Sequence, residues 1–293
     1  MNKIDNSTKP LMWFTALLLT AVMTGCGGQD PILGGGGAYG TSTGGSIPLA
    51  INLGAATTFG LAAQSGMTST GVTVVNGNIG LNPLATCTDA TGNAGASQTC
   101  ITVSGLYSSP TGMTVNGQIY YAGDPFDSGV TAQAVTTALN TAWNEGINKV
   151  NTQPAIAADE LGGKTFIPGV YENANLTLSA GGVATLDAQN NPNAVFIFKV
   201  TLGGDIVDSG TLLLPSRIDL VNQAQARNVW FIGGRDITIG HGTIWNGNIL
   251  AYRTATVMDG STVNGRVLAG AGGAGAITLT GAASPSVTTV SVP

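Results

Sequence analysis

Asn228-Val-Trp-Phe-Ile-Gly233, Asn246-Gly-Asn-Ile-Leu-Ala251 and Asn264-Gly-Arg-Val-Leu-Ala269 align without gaps, each opening Asn falling 18 residues after the one before. An earlier copy, Asn193-Ala-Val-Phe-Ile-Phe198, lies about two periods upstream, and Val75-Asn-Gly-Asn-Ile79 and Val115-Asn-Gly-Gln-Ile119 carry the same phrase nearer the N-terminus. A short fixed period with strand-type alternation marks a solenoid, in which each coil stacks on its neighbour. Eighteen residues at about 3.3 Å rise supply three short strands and three corners per coil. Gly and Asn provide the positive φ that corners need. The repeat therefore predicts a mainly β chain, folded as a three-faced β-solenoid.

Composition agrees with that reading. Gly contributes 44 of 293 residues, Thr 37, and charged residues only 9%, against roughly 25% in an ordinary soluble domain. A net charge of -5 leaves no electrostatic footprint for nucleic acid. A single His excludes His-rich metal cages and reduces His-based catalysis to one candidate, His241. No cofactor or metal is expected. One stretch departs from the β pattern: from Val130 to Val150 the apolar Val135, Ala138, Leu139, Ala142, Trp143, Ile147 and Val150 recur at helical spacing. Asp127 or Ser128 can cap its start and Pro154 stops continuation. A lone amphipathic helix on a solenoid must bury its stripe along one face, which makes Trp143 a core residue.

The N-terminus reads as an export signal over residues 1–25. Lys3 and Lys9 precede an apolar run, Leu11 to Met23, too short to span a bilayer. Met23-Thr-Gly-Cys26 resembles a bacterial lipobox, which implies lipidation of Cys26, with a plain secretory signal as the alternative. Gly27 after that Cys, by resemblance to other lipoproteins, points away from inner-membrane retention and toward the outer membrane or cell surface. Residues 26–46 form a Gly-rich tether, and the folded domain occupies 47–293. Cys87 and Cys100 then remain, and an even pair in an exported chain is most simply a disulfide. A catalytic thiol is the rival, without a neighbouring His to activate it. The loop between them is expected to cap one end of the stack, shielding strand edges.

Several stretches resemble a widespread microbial ice-binding protein family. They are Leu161-Gly-Gly-Lys-Thr-Phe-Ile-Pro-Gly-Val-Tyr171, Asp187-Ala-Gln-Asn-Asn-Pro-Asn-Ala-Val-Phe-Ile-Phe198, Val263-Asn-Gly-Arg-Val-Leu-Ala269 and Leu53-Gly-Ala-Ala-Thr-Thr-Phe-Gly-Leu-Ala62. They occur in the family's order and cover roughly Ile51 to Thr280. The resemblance implies a right-handed solenoid with a long helix along one face and N-terminal strands spliced among coils of the C-terminal part. It also implies a flat ice-binding face carrying Thr-Ala/Gly-X-Thr/Asn motifs. Thr70-Gly-Val-Thr73 and Thr111-Gly-Met-Thr114 match. In the 18-residue repeat the equivalent places are Gly240-His-Gly-Thr243 and Asp259-Gly-Ser-Thr262, and Thr238, Thr254, Thr256, Thr278 and Thr280 extend the array on neighbouring strands. Coils about 4.8 Å apart approach repeats of the ice lattice. Each Thr offers a methyl that orders water, a hydroxyl that joins it, and a stiff χ1. Thr is also simply a good strand residue.

Enzyme patterns dissolve on inspection. Gly40-Thr-Ser-Thr-Gly44 fits a nucleophile elbow but sits in the tether. Gly270-Ala-Gly-Gly-Ala-Gly275 fits a dinucleotide loop, but strand-like Ala276 to Thr280 follows where a helix is required. Asp205, Asp208, Asp219, Asp236 and Asp259 do not repeat with the coils and read as corner residues. The expected protein is a non-catalytic, monomeric ice binder at the cell envelope, touching the membrane only through its lipid. The alternative is a secreted or surface adhesin for polysaccharide, which would need aromatics on an exposed face. Trp230 and Trp245 fall in repeat strands.

Overall fold

The computed structural model describes residues 50–83, 87–89, 107–108, 113–122, 129–280 and 286–293, with the backbone alone at 87–89 and 107–108. The signal segment 1–25, the tether 26–46 with Cys26, Thr111, Cys100 and the Cys87 side chain lie outside the described residues.

Three sheets wrap one core, with the chain passing from face C to face A to face B in each coil. Face A runs Gly169–Asn173, Phe196–Val200, Val229–Gly233, Asn248–Ala251, Val267–Ala269, Phe59–Ala63, Asn78–Leu81, Ile119–Tyr121. Face B runs Leu176–Leu178, Ile206–Asp208, Ile237–Ile239, Ala255–Val257, Ala276–Thr280, Gly66–Thr70, Cys87–Asp89. Face C begins at Lys164–Phe166 and passes through Val183–Asp187, Arg217–Val221, Ile244–Asn246, Thr262–Asn264, Thr288–Ser291, Thr73–Asn76 and Met113–Val115 to Tyr107–Ser108. Pairing is parallel except between the last two strands of face C.

The Asn-Gly phrase marks the corner from C to A. Its physical reason is close approach: a Cβ on Gly265 would stand 1.9 Å from Gly247 O, and one on Gly117 2.3 Å from Gly77 O. The preceding Asn side chains bond from coil to coil, Asn264 Nδ2 to Asn246 Oδ1 at 2.8 Å and Asn116 Nδ2 to Asn76 Oδ1 at 2.7 Å. The interval between Asn193 and Asn228 holds one long coil and not two short ones, because Phe196–Val200 pairs directly with Val229–Gly233.

Sequence order and stacking order differ. Ala276–Thr280, near the C-terminus, pairs with Gly66–Thr70, and Thr288–Ser291 pairs with Thr73–Asn76. Arg266 ties this splice: its Nε and Nη2 donate to Thr57 O at 3.1 and 2.5 Å, and Nη1 to Asn248 Oδ1 at 2.9 Å. Burial pushes the Arg266 guanidinium below its ordinary pKa. After Ile119–Tyr121 the chain stands at one end of the stack and must return to the other, where Lys164–Phe166 begins. The helix Val130–Ile147 makes most of that return, about 27 Å for 18 residues. Its N-cap is Gly129, at φ 74°, and not Asp127 or Ser128. Val135, Leu139, Ala142 and Trp143 are buried against Val170, Ile197, Trp230, Ile232, Leu250 and Leu268 of face A, and Trp143 Nε1 donates to Gly233 O at 2.9 Å. The helix stops at Ile147, whose carbonyl accepts from Lys199 Nζ at 3.0 Å, and leaves Val150 exposed. Face A is thereby covered, and among the described residues faces B and C carry no α-helix.

Candidate functional site: a threonine ladder on face B

Strand alternation on face B turns Ile237, Ile239, Ala255, Val257, Ile277 and Leu279 inward. The residues between them point out and lie in register from coil to coil. Thr177 pairs with Val207, Val207 with Thr238, Thr238 with Thr256, Thr256 with Thr278, Thr278 with Thr68, and Thr68 with Thr88. Among the described side chains this is one column of Thr interrupted at Val207, and the backbone pairing carries it on to Thr88. Thr70 and Thr280 form the start of a second column, paired with each other. The hydroxyls of Thr68, Thr238, Thr256 and Thr278 bond to no protein group among the described residues and face solvent. Column spacing along the stack is about 4.8 Å and along a strand about 6.6 Å.

The Thr residues singled out by sequence distribute unevenly over this geometry. Thr238, Thr256 and Thr278 stand in the first column, Thr70 and Thr280 in the second, and Thr254 at the entry to its strand, where its amide donates to Asp236 Oδ1 at 2.9 Å. Thr262 and Thr114 are half-exposed on face C. Thr73 and Thr243 are corrected: both are 0% exposed. Thr73 Oγ1 accepts from Ser69 Oγ at 3.1 Å, and Thr243 Oγ1 donates to Asp208 Oδ2 at 2.5 Å. The cause is the corner. Gly71, at φ 97°, turns the chain from face B to face C, so Thr70-Gly-Val-Thr73 straddles an edge and only its first Thr lies on face B. Register also separates the two motifs, since Thr73 pairs with Met113 while Thr114 pairs with Val74. Thr68 and Thr177 were not singled out. The alternation in Gly66-Met-Thr-Ser-Thr70, with Met67 and Ser69 buried, is the signal that finds Thr68.

Where face B meets face C, the acidic residues hold corners. Buried Asp208 accepts from Gly210 N at 2.9 Å, Gly240 N at 2.8 Å and Thr243 Oγ1. His241 is half-buried and pairs with Asp259, while Asp205 pairs with Arg235 at the other edge, where face A passes to face B. Among the described residues no three His, Cys, Asp or Glu side chains come together as a metal-binding group. At the end of the stack that opens with Lys164–Phe166, Glu160 ties the ladder off. Its carboxylate accepts from Ser179 Oγ at 2.6 Å, Gly162 N at 2.7 Å and Thr177 Oγ1 at 3.1 Å. Burial pushes the Glu160 carboxyl up, but these bonds together outweigh it and hold the pKa below its ordinary 4.5. Thr177 thus spends its hydroxyl on the end cap.

Among the described side chains no aromatic lines face B or face C. Trp230 lies under the helix and Trp245 inside the solenoid, and among the described residues no aromatic side chain is exposed.

A three-sheet parallel solenoid with a helix along one face and a Thr ladder on another defines a class, and the comparisons with known proteins agree on it. The family model described as "Ice-binding-like" matches residues 61–284, and the chain belongs to that family. An ice-binding protein of Leucosporidium sp. (strain AY30) is 29% identical over 225 residues, spanning 76% of this chain and 80% of that protein. One from Nostoc sp. (strain HG1) is 32% identical over 222 residues, 74% of this chain and 68% of the relative. Among solved structures, the ice-binding protein of the Antarctic ascomycete Antarctomyces psychrotrophicus superposes with a TM-score of 0.63 at 29% identity, covering 83% of this chain and 98% of that one.

Proposed function

We propose that the protein is an ice-binding, antifreeze protein that adsorbs to ice through face B. The observation that carries this reading is the register of Thr238, Thr256, Thr278 and Thr68, four solvent-facing hydroxyls and methyls in one straight column. The backbone behind them is locked into parallel ladders, so the array is ordered before ice arrives and little entropy is lost on contact. Methyl groups hold adjacent water in a cage and the hydroxyls join that water to the lattice. An adsorbed molecule pins the growth front, which bulges between pinned points and then freezes less readily. No chemical step is required, and the protein acts as a non-catalytic single copy.

Export and anchoring through Cys26 complete the reading: the tether holds the domain at the cell envelope, where the ice face shields the cell or fixes it to ice. The lack of an exposed aromatic among the described residues favours ice over polysaccharide, since sugar rings are held by stacking. The test is crystal growth in supercooled solution with the purified full chain. Shaped crystals and inhibited recrystallisation are expected. Round, unshaped discs with unimpeded recrystallisation would remove ice binding from consideration.

A further inference from the structure

Face B carries Thr in two columns over only two coils. In Ala276–Thr280 the outward residues are Thr278 and Thr280, and in Gly66–Thr70 they are Thr68 and Thr70. In the adjoining coil the first column continues at Thr256, but the second passes to Met258. Met258 keeps the strand's course, its amide donating to Ile239 O at 3.0 Å. Its half-exposed side chain lies beside Thr280, whose Oγ1 donates to Met258 Sδ at 3.4 Å. We propose that Met258 is the residue that limits the ice footprint, ending the two-column array one coil early and drawing the Thr280 hydroxyl away from ice-ordered water.

The inference rests on face B being the ice-contact surface. Its physical ground is the contrast between the two side chains. A thioether is a weak acceptor and no donor, so it cannot pass the Thr280 bond on to a water lattice. Met has three rotatable bonds where Thr has one stiff χ1, so it stands over the plane without a fixed position. Val207 also interrupts a column, but in a coil whose corners carry exposed Leu202 and Leu213. Met258 has Thr256 two residues before it and Thr280 beside it, so it is the interruption that a single change repairs.

Thermal hysteresis of the purified full chain, read at equal concentration, tests this with three variants. Met258→Thr is expected to raise hysteresis roughly twofold, the yield of one added weak contact. Met258→Ala, which removes the bulk without adding a hydroxyl, should give a smaller gain and stands in if Met258→Thr does not fold. Met258→Leu keeps the bulk but releases the Thr280 hydroxyl, and should gain less than Met258→Ala. An active wild type with no gain in Met258→Thr or Met258→Ala, at unchanged melting temperature, overturns the inference and leaves ice binding by face B intact. A gain in Met258→Leu equal to that in Met258→Thr overturns it too. A wild type without hysteresis or crystal shaping sinks the ice-binding reading itself, and this inference with it.

Discussion

At the end of the stack that opens with Lys164–Phe166, face A strands begin at 169, 196 and 229; further along they begin at 229, 248 and 267. By strand register the coil thus shortens from 33 residues, Phe196 to Val229, to 18, Phe231 to Ile249 and Ile249 to Val267. The interior follows. Tyr171, Phe198 and Phe231 stack at 5.1 Å with rings 12° apart, and the same column then continues as Ile249, Val267, Leu61 and Ile79. Large rings fill the wide cross-section and branched aliphatics the narrow one, as close packing demands. The surface differs as well. Wide coils carry the exposed loop of Leu212, Leu213 and Leu214, the exposed Val207, and the Asp205–Arg235 ion pair along the edges of face B. Thr256, Thr278 and Thr68 stand beyond these features, in the narrow coils. The face B ladder keeps its register although 18 residues separate Thr238 from Thr256 and 22 separate Thr256 from Thr278, because the extra residues enter corners and not strands.

Four expected outcomes would break or sharpen this division. The largest concerns the wide core. Phe198→Ala should cost about 3–5 kcal/mol of stability by leaving a cavity in the ring stack, read as a fall in melting temperature, with crystal shaping retained by the folded fraction. Loss of shaping at temperatures where the variant is folded would show that the wide end also sets the ice face. Next, Thr278→Tyr should lower ice activity by about tenfold at an unchanged melting temperature, because a ring above the plane lifts many weak contacts at once. Thr177→Tyr, where the native hydroxyl already serves the end cap, should change activity by less than about twofold. Equal losses would mean that ice spans the whole face.

A third expectation follows from Glu160. Its folded pKa lies below 4.5, so the stability it contributes is present above that value and is lost as pH falls through the depressed pKa. Hydrogen exchange near pH 3 should show the Leu176–Leu178 strand opening ahead of Ala276–Thr280, and Glu160→Gln should show the same order at neutral pH. Simultaneous opening would show one cooperative unit with no weaker wide end. The smallest effect is expected from Val207→Thr, which completes the first column but sits below the Leu corners. Hysteresis should stay within about twofold of wild type; a gain matching that of Met258→Thr would bring the wide coils into the contact.

What could be read from sequence follows the same division. The 18-residue spacing exposed the coils at Phe231, Ile249 and Val267 because face A keeps that interval there. The long coil between Asn193 and Asn228 looked like two periods, since the loop at Leu212–Pro215 adds residues without adding a strand. The helix was legible from its stripe at Val135, Leu139, Ala142 and Trp143, and the buried faces of those residues bear it out. The splice has no local signal: nothing in Gly66-Met-Thr-Ser-Thr70 names Ala276–Thr280 as its neighbour, and only resemblance to the family supplied it. On the candidate site, Thr256 and Thr278 were legible by strand alternation. Thr73 misled because a four-residue motif was read as flat when Gly71 folds it over an edge.

The splice closed by Arg266 bears on how the protein is made. The ladder Thr256–Thr278–Thr68 joins a strand from the first quarter of the chain to one that ends at residue 280. During synthesis the early strand has no partner on that side until the final turns of the solenoid emerge. A nascent chain therefore presents no complete face, and neither does a fragment shortened from its C-terminal end into Ala276–Thr280. Competence arrives in a single step with the last residues.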